Sequence, residues 1–267
     1  MRLKFTKLHG LGNDFILIDH RCQSGSFQLD TPTLKKFSDR RRGIGCDQVI
    51  ELYENEKGLS VAFWNADGSS AQMCGNGMRA VGLYFFQETK RSIIEVMTAV
   101  GKKVIQVQDE DHIEVGLGQP KLGSPESLQL EGEIVTFQAV DVGNPHAVIF
   151  VEHLDWDQLS RLGPRIENHP RFKDRTNVEL VQVDGPRKIT VGVWERGAGI
   201  TQACGTGAVA ATASTIALNG GKSPMKVQLL GGVLSVSWAG PGSEASLLGP
   251  ARVVFHGEVD LGPMDEV

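Results

Sequence analysis

Cysteine is scarce and scattered: Cys22, Cys46, Cys74 and Cys204 are four residues in 267, with no Cys-x-x-Cys spacing. That excludes a disulfide scaffold, thioredoxin-like chemistry and a zinc ribbon, and makes reduced thiols the default. No uninterrupted apolar run reaches the roughly 20 residues that would span a bilayer. The opening Met1-Arg-Leu-Lys-Phe5 alternates like a strand and lacks an apolar signal-peptide core, so a cytoplasmic protein with no membrane partner is expected. A net charge of −5 argues against a general nucleic-acid binder. The one basic run, Arg40-Arg41-Arg42, reads as a solvated helix end. No lysine motif or phosphate-cradling loop marks a pyridoxal site, so neither cofactor nor metal is expected.

What the chain does have is a pair of matching frames, Cys74-Gly75-Asn76-Gly77 and Cys204-Gly205-Thr206-Gly207, each between a strand-like and a helix-like run. A thiol at a helix start lies beside unpaired N–H groups and the positive end of the dipole. That position lowers its pKa and attracts anions. Cys22, in a polar loop, and Cys46, in Gly43-Ile-Gly-Cys-Asp47, lack this context and read as passive.

The frames belong to a longer repeat. Leu59-Ser-Val-Ala-Phe-Trp64 and Ile189-Thr-Val-Gly-Val-Trp194 each close on a Trp ten residues before the cysteine, and Gln72 matches Gln202. The cysteines are 130 residues apart, and Gly12-Asn13 and Gly143-Asn144 are 131 apart. Solenoid repeats are far shorter, so the period signifies two similar domains. The chain is long enough for two cores, and 40% of its residues are hydrophobic. Trp64 and Trp194 read as core or hinge packing.

Alternation predicts strands at about 2–8, 14–19, 47–54, 59–65, 92–99, 102–108 and 111–117. In the second half it predicts 133–140, 146–151, 178–183, 188–195, 226–230, 232–238 and 244–249. Helices are expected at about 32–41, 76–89, 155–167 and 206–218. The last is rich in alanine and nearly free of charge, so sheet should surround it on most sides. The expected fold is therefore α/β of the α+β, antiparallel-rich kind. Two pseudo-symmetric domains, 1–117 (joined by the tail 253–267) and 118–252, each wrap strands around a central helix. Turn residues at Gly116-Leu-Gly-Gln-Pro120 mark the seam, and the active site is expected in the cleft between the domains.

Two helix starts can hold one carboxylate, and two thiols can then flank its Cα–H. Inversion of a stereocentre needs that arrangement, one group removing a proton while the other delivers one to the opposite face. The weak acidity of the Cα–H is met electrostatically, by amides aimed at the developing enolate in a dry pocket. One cysteine must start as thiolate and the other as thiol, with coupled titrations.

Asn65-Ala-Asp-Gly-Ser69 with Cys74-Gly-Asn-Gly-Met-Arg79, and Glu195-Arg-Gly-Ala-Gly199 with Ala203-Cys-Gly-Thr-Gly207, resemble the two signatures of the diaminopimelate epimerases. These pyridoxal-independent enzymes interconvert LL- and meso-diaminopimelate in lysine and peptidoglycan synthesis. Gly10-Leu-Gly-Asn-Asp-Phe15, Gly43-Ile-Gly-Cys-Asp-Gln48, Gly143-Asn-Pro-His146 and Thr176-Asn177-Val178 match further family landmarks in order, so the resemblance spans nearly the whole chain. It implies that Cys74 and Cys204 are the two bases, tuned by His146 and Glu195 respectively. It also implies that the amides of Gly75-Asn76 and Gly205-Thr206 hold the reacting carboxylate. Asn13, Asn65, Asn177, Glu195 and Arg196 would read the substrate's second amino-acid head, with Gln48 and Asn144 completing the set and a homodimer as the assembly. Ser70 and Ile200 depart from the family's glutamates and leave substrate specificity open.

Two other readings compete. A related racemase of histidine or proline would keep the thiol pair but would not need Arg196 and Glu195 to read a second head. A regulatory disulfide between Cys74 and Cys204 explains the cysteines but neither the asparagines nor the glycines.

Overall fold

The computed structural model describes residues 2–23, 27–56 and 58–260. The chain forms two compact units: the first runs to Ile113 and resumes from Pro250, and the second is Glu114–Gly249. The part of the expected tail beyond 260 lies outside the described residues. Among the described residues no helix is long and apolar enough to cross a membrane.

In the first unit β1 (Arg2–Gly10) turns through Leu11 and Gly12, both at positive φ, into β2 (Asn13–Asp19). Next come α1 (Thr31–Ser38), β3 (Gln48–Asn55), β4 (Gly58–Asn65), the short β5 (Ser70–Ala71), α2 (Gly75–Thr89), β6 (Ile93–Thr98) and β7 (Gly101–Val107). β1–β2, β3–β4 and β6–β7 are antiparallel, whereas β2–β3 and β4–β6 are parallel. Every α2 residue from Gly75 to Leu83 is buried, so the helix is internal to its unit.

The chain enters the second unit at β8 (Ile113–Gly118). There follow β9 (Lys121–Leu130), β10 (Glu133–Asp141), β11 (Pro145–Val151), α3 (Trp156–Glu167), β12 (Asn177–Gly185), β13 (Lys188–Glu195) and β14 (Gly199–Ile200). α4 (Gly205–Asn219), β15 (Met225–Leu229), β16 (Gly232–Ser237) and β17 (Ala245–Gly249) complete it. The pairings repeat those of the first unit: β10–β11 and β12–β13 are antiparallel, and β11–β12 and β13–β15 parallel. Small alanines let strands pack against α4 on nearly every side, and its first eleven residues are buried except Thr206.

Two long strands were not expected from the sequence. β9 carries Gly123, Pro125 and two charges, Lys121 and Glu126, and β18 (Arg252–Asp260) is interrupted by His256 and Gly257. Both are partners of other strands rather than apolar ribbons. β9 pairs antiparallel with β10, and β18 pairs antiparallel with β1 over eight positions. They hold equivalent places. β9 closes the 130-residue first copy and β18 closes the second, yet β9 completes the second unit and β18 the first.

α1 also departs from expectation. It starts on the Asp30 cap with Pro32 in its first turn but stops at Ser38, so the basic run lies beyond it. Asp39 Oδ1 accepts the N–H groups of Arg41 and Arg42, and Arg40 pairs with Asp14 and Asp47. Lys7 Nζ also donates to Asp14, at 2.6 Å, and to the Gly45 carbonyl. Although burial works to raise it, Arg40 and Lys7 hold the Asp14 carboxyl well below the usual carboxylate range. A depressed folded-state pKa stabilises above the unfolded value of about 3.9 and loses that contribution as pH falls toward the folded value. Asp14→Asn is therefore expected to lower the urea midpoint near neutrality and to flatten its decline below about pH 4. A decline as steep as wild type would remove Asp14 from the acid response.

Candidate active site

The two cysteines cap equivalent helices with nearly the same geometry. Cys74 precedes α2 at φ −131°, ψ 117°, and Cys204 precedes α4 at φ −118°, ψ 116°. In each case the sulfur accepts the N–H of the third residue on, Gly77 or Gly207, at 3.4 Å. Gly75 and Asn76, and Gly205 and Thr206, are the first residues of the two helices. Phe63 would stand 2.6 Å from a Cβ at Gly77, which accounts for the glycine there.

In the first unit Cys74 Sγ donates to Asn13 Oδ1 at 3.7 Å, and Asn76 Nδ2 donates to the same oxygen at 3.2 Å. Asn13 in turn donates to Asp47 at 2.9 Å, anchoring the β1–β2 turn to the strand that follows α1. Gln48 Nε2 donates to Asn65 Oδ1 at 2.9 Å, across a directly paired position of β3 and β4. Gln48 Oε1 is buried and has no hydrogen-bond partner among the described residues. Arg79, a fully buried side chain on α2, donates from Nε to the Pro250 carbonyl at 3.1 Å, while Nη1 and Nη2 have no partner among the described residues. Burial pulls its pKa down to about 10, and the charge of Cys74 works against that.

In the second unit Cys204 is buried, with the Thr206 hydroxyl 3.5 Å from its sulfur. Glu195 accepts from the Thr201 hydroxyl at 2.5 Å. Burial pushes the Glu195 carboxyl up, with Thr201 opposing. Asn177 Oδ1 accepts the Arg196 N–H at 2.9 Å, and Asn177 Nδ2 donates to the Pro145 carbonyl at 3.0 Å. Arg196 itself is exposed and donates to the Asp174 carbonyl. Asn144 Nδ2 donates to Thr206 Oγ1 at 3.4 Å, and its Oδ1 lies 3.0 Å from His146 Nε2.

The expectation that a helix start lowers the thiol pKa fails for Cys204. Burial drives it well above the ordinary thiol range, Glu195 and Glu179 push the same way, and Thr206 and the Gly207 N–H oppose them. The magnitudes explain the outcome. A helix terminus contributes about 0.3–2 kcal/mol, whereas full burial can move a pKa by about 3–5 units at 1.36 kcal/mol each.

Glu179 was not apparent in the sequence. Alternation along Asn177-Val-Glu-Leu-Val181 places it on the polar face, yet it is fully buried and its Oε1 lies 2.7 Å from His146 Nδ1. The repeat carried the signal, because the matching residue of the first copy is Ile50. The two repeated tryptophans are also polar anchors: Trp64 Nε1 donates to Glu51 and Trp194 Nε1 to Glu167, at 2.6 and 2.7 Å. Ser70 pairs with Trp64 and Ile200 with Trp194, so the two departures from the family pattern are equivalent positions. Ile200 packs on the apolar cluster around Trp156 and Trp194.

The other thiols are in different settings. Cys46 is buried against Ser38, and burial raises it to about 11. Cys22 joins Asp19 and Glu88 in a group with the spacing of metal ligands. Arg21 already bridges those carboxylates at 2.6 and 2.8 Å, filling the place with a fixed cation.

The fold is shared with solved structures. A hydroxyproline epimerase from Agrobacterium vitis with bound trans-4-hydroxy-L-proline superposes with a TM-score of 0.73 at 15% identity, covering 98% of this chain and 94% of that one. A PhzF-family phenazine biosynthesis protein from Bacillus anthracis gives 0.72 at 11% identity, covering 98% and 100%. These likenesses define the fold. Residues 5–123 and 138–254 match the diaminopimelate epimerase family, to which the chain belongs. A diaminopimelate epimerase from Stutzerimonas stutzeri is 40% identical over 98% of this chain and all of its own length. One from Acetivibrio thermocellus is 37% identical with the same coverage.

Proposed function

We propose that the protein interconverts LL- and meso-diaminopimelate without a cofactor, Cys74 and Cys204 exchanging the Cα proton on opposite faces. The observation that carries this reading is the matched pair of thiol-capped helices in a chain of the diaminopimelate epimerase family. The first-turn amides of α2 and α4 take the reacting carboxylate, where aligned dipoles stabilise charge as it develops. His146 and Glu195 are the supporting groups. Asn13, Asn65, Asn177, Glu195 and Arg196 read the distal head, and Gln48 and Asn144 complete the binding set: the Arg196 guanidinium suits a carboxylate and Glu195 an ammonium. The resemblance further supports a cytoplasmic homodimer, which light scattering would report as twice the chain mass.

Incubation of the pure protein with LL-diaminopimelate in D₂O, under reducing conditions and without pyridoxal phosphate, should give meso product deuterated at one α-carbon. No exchange would overturn the proposal. Exchange confined to histidine or proline would make the chain a racemase of a different amino acid.

A further inference from the structure

The second unit holds a buried polar pair where the first has hydrocarbon. In the parallel β2–β3 ladder Phe15 is opposite Gln48, and in the parallel β11–β12 ladder His146 is opposite Asn177. That register makes Phe15 the counterpart of His146, and Ile50 the counterpart of Glu179. All four are buried. An ion pair contributes little to stability over well-packed apolar side chains, so its presence in one copy alone calls for another account.

His146 is held at both ring nitrogens: Nε2 lies 3.0 Å from Asn144 Oδ1, and Nδ1 lies 2.7 Å from Glu179 Oε1. Glu179 Oε2 is buried and has no hydrogen-bond partner among the described residues. A Cβ built on Gly207 would stand 2.9 Å from Glu179 Oε1 and 3.4 Å from Cys204 Sγ. Carboxylate and sulfur thus both crowd the Gly207 position, which leaves no room for a side chain there.

We propose that Glu179 is a positioning residue that orients His146 and keeps Cys204 as the thiol in the resting protein. This rests on the two-thiol reading of the site. The charged groups acting on Cys204 are Glu195 from β13 and Glu179 from β12, with His146 of β11 facing the latter. α4 carries no charged side chain. Elsewhere on the strands packed against it, Glu133 is tied to Arg161 and Arg165, and Asp141, Asp184, Lys188 and Lys226 are exposed. A thiolate at Cys204 would therefore be disfavoured by burial and by both carboxylates, and the neutral thiol is the favoured form.

The test uses the full chain labelled with ¹³Cβ-cysteine, with resonances assigned by single substitutions. In wild type, Cys204 should titrate above the ordinary thiol value of about 8.5. Glu179→Gln should bring the Cys204 midpoint down by about one pH unit or more, a tenfold larger thiolate fraction below the midpoint. Glu179→Asp should retain the charge and the high midpoint. An unchanged or raised Cys204 midpoint in a folded Glu179→Gln protein would overturn the proposal. If that variant does not fold, a Cys204 midpoint at or below the ordinary thiol value in wild type does so alone. This readout does not depend on epimerisation, so failure of the diaminopimelate assay and failure of this assignment are separate results.

Discussion

Cys74→Ala and Cys204→Ala are each expected to reduce epimerisation on the order of a thousandfold, since a positioned acid or base contributes about 10²–10⁴. The two losses should match despite the unequal surroundings of the sulfurs. Inversion needs one group to take the proton and another to return it, so a protein with one thiol retains half of a cycle. The mutants should still differ in what they exchange. Each retains a single base, and α-deuterium wash-in without inversion should appear for the stereoisomer that presents its Cα–H to the surviving thiol. Mass spectrometry of recovered substrate from each variant measures both effects. A single alanine mutant that epimerises within tenfold of wild type would refute the two-base assignment.

The largest change in stability should follow from splitting the buried pair in the second unit. His146→Leu leaves Glu179 buried and without its 2.7 Å partner, and breaking a buried pair in this way costs about 3–5 kcal/mol. The internal repeat supplies the control. His146→Phe combined with Glu179→Ile installs the residues found at the same places in the first unit, Phe15 and Ile50, both fully buried there. Exchanging a buried pair for hydrocarbon is often neutral or stabilising by about 1–4 kcal/mol, so the double variant should recover most of the loss. Urea denaturation of the single and double variants decides the matter. A double variant as unstable as His146→Leu would show that the pair is required for packing.

Much of this was legible because repetition acts as a second copy of the evidence. The helix expected at 76–89 is α2, Gly75–Thr89, and that expected at 206–218 is α4, Gly205–Asn219. Long apolar periods bounded by glycine leave little freedom in such cases. β9 and β18 were missed together and for one reason. Each is an outer partner of another strand, its pattern broken by Pro125 or by His256-Gly257, and only pairing makes it a strand. The candidate site divides in the same way. Capping cysteines and turn asparagines follow local rules, so their spacing exposes them. Glu179 follows none, because a polar residue in an alternating strand is ordinarily solvated, and its burial depends on His146, 33 residues away in sequence.

The placement of β18 bears on how the chain is made. The second unit, Glu114–Gly249, is an unbroken stretch that can close as soon as it leaves the ribosome. The first unit cannot close, although its earliest strand is synthesised first. β1 presents an open edge until Arg252–Asp260 arrives, some 240 residues later. At roughly 5–20 residues per second, that edge stays bare for about 12–50 seconds. During that interval the half carrying Cys74 is the vulnerable one, waiting on a strand made only after the whole of the second unit.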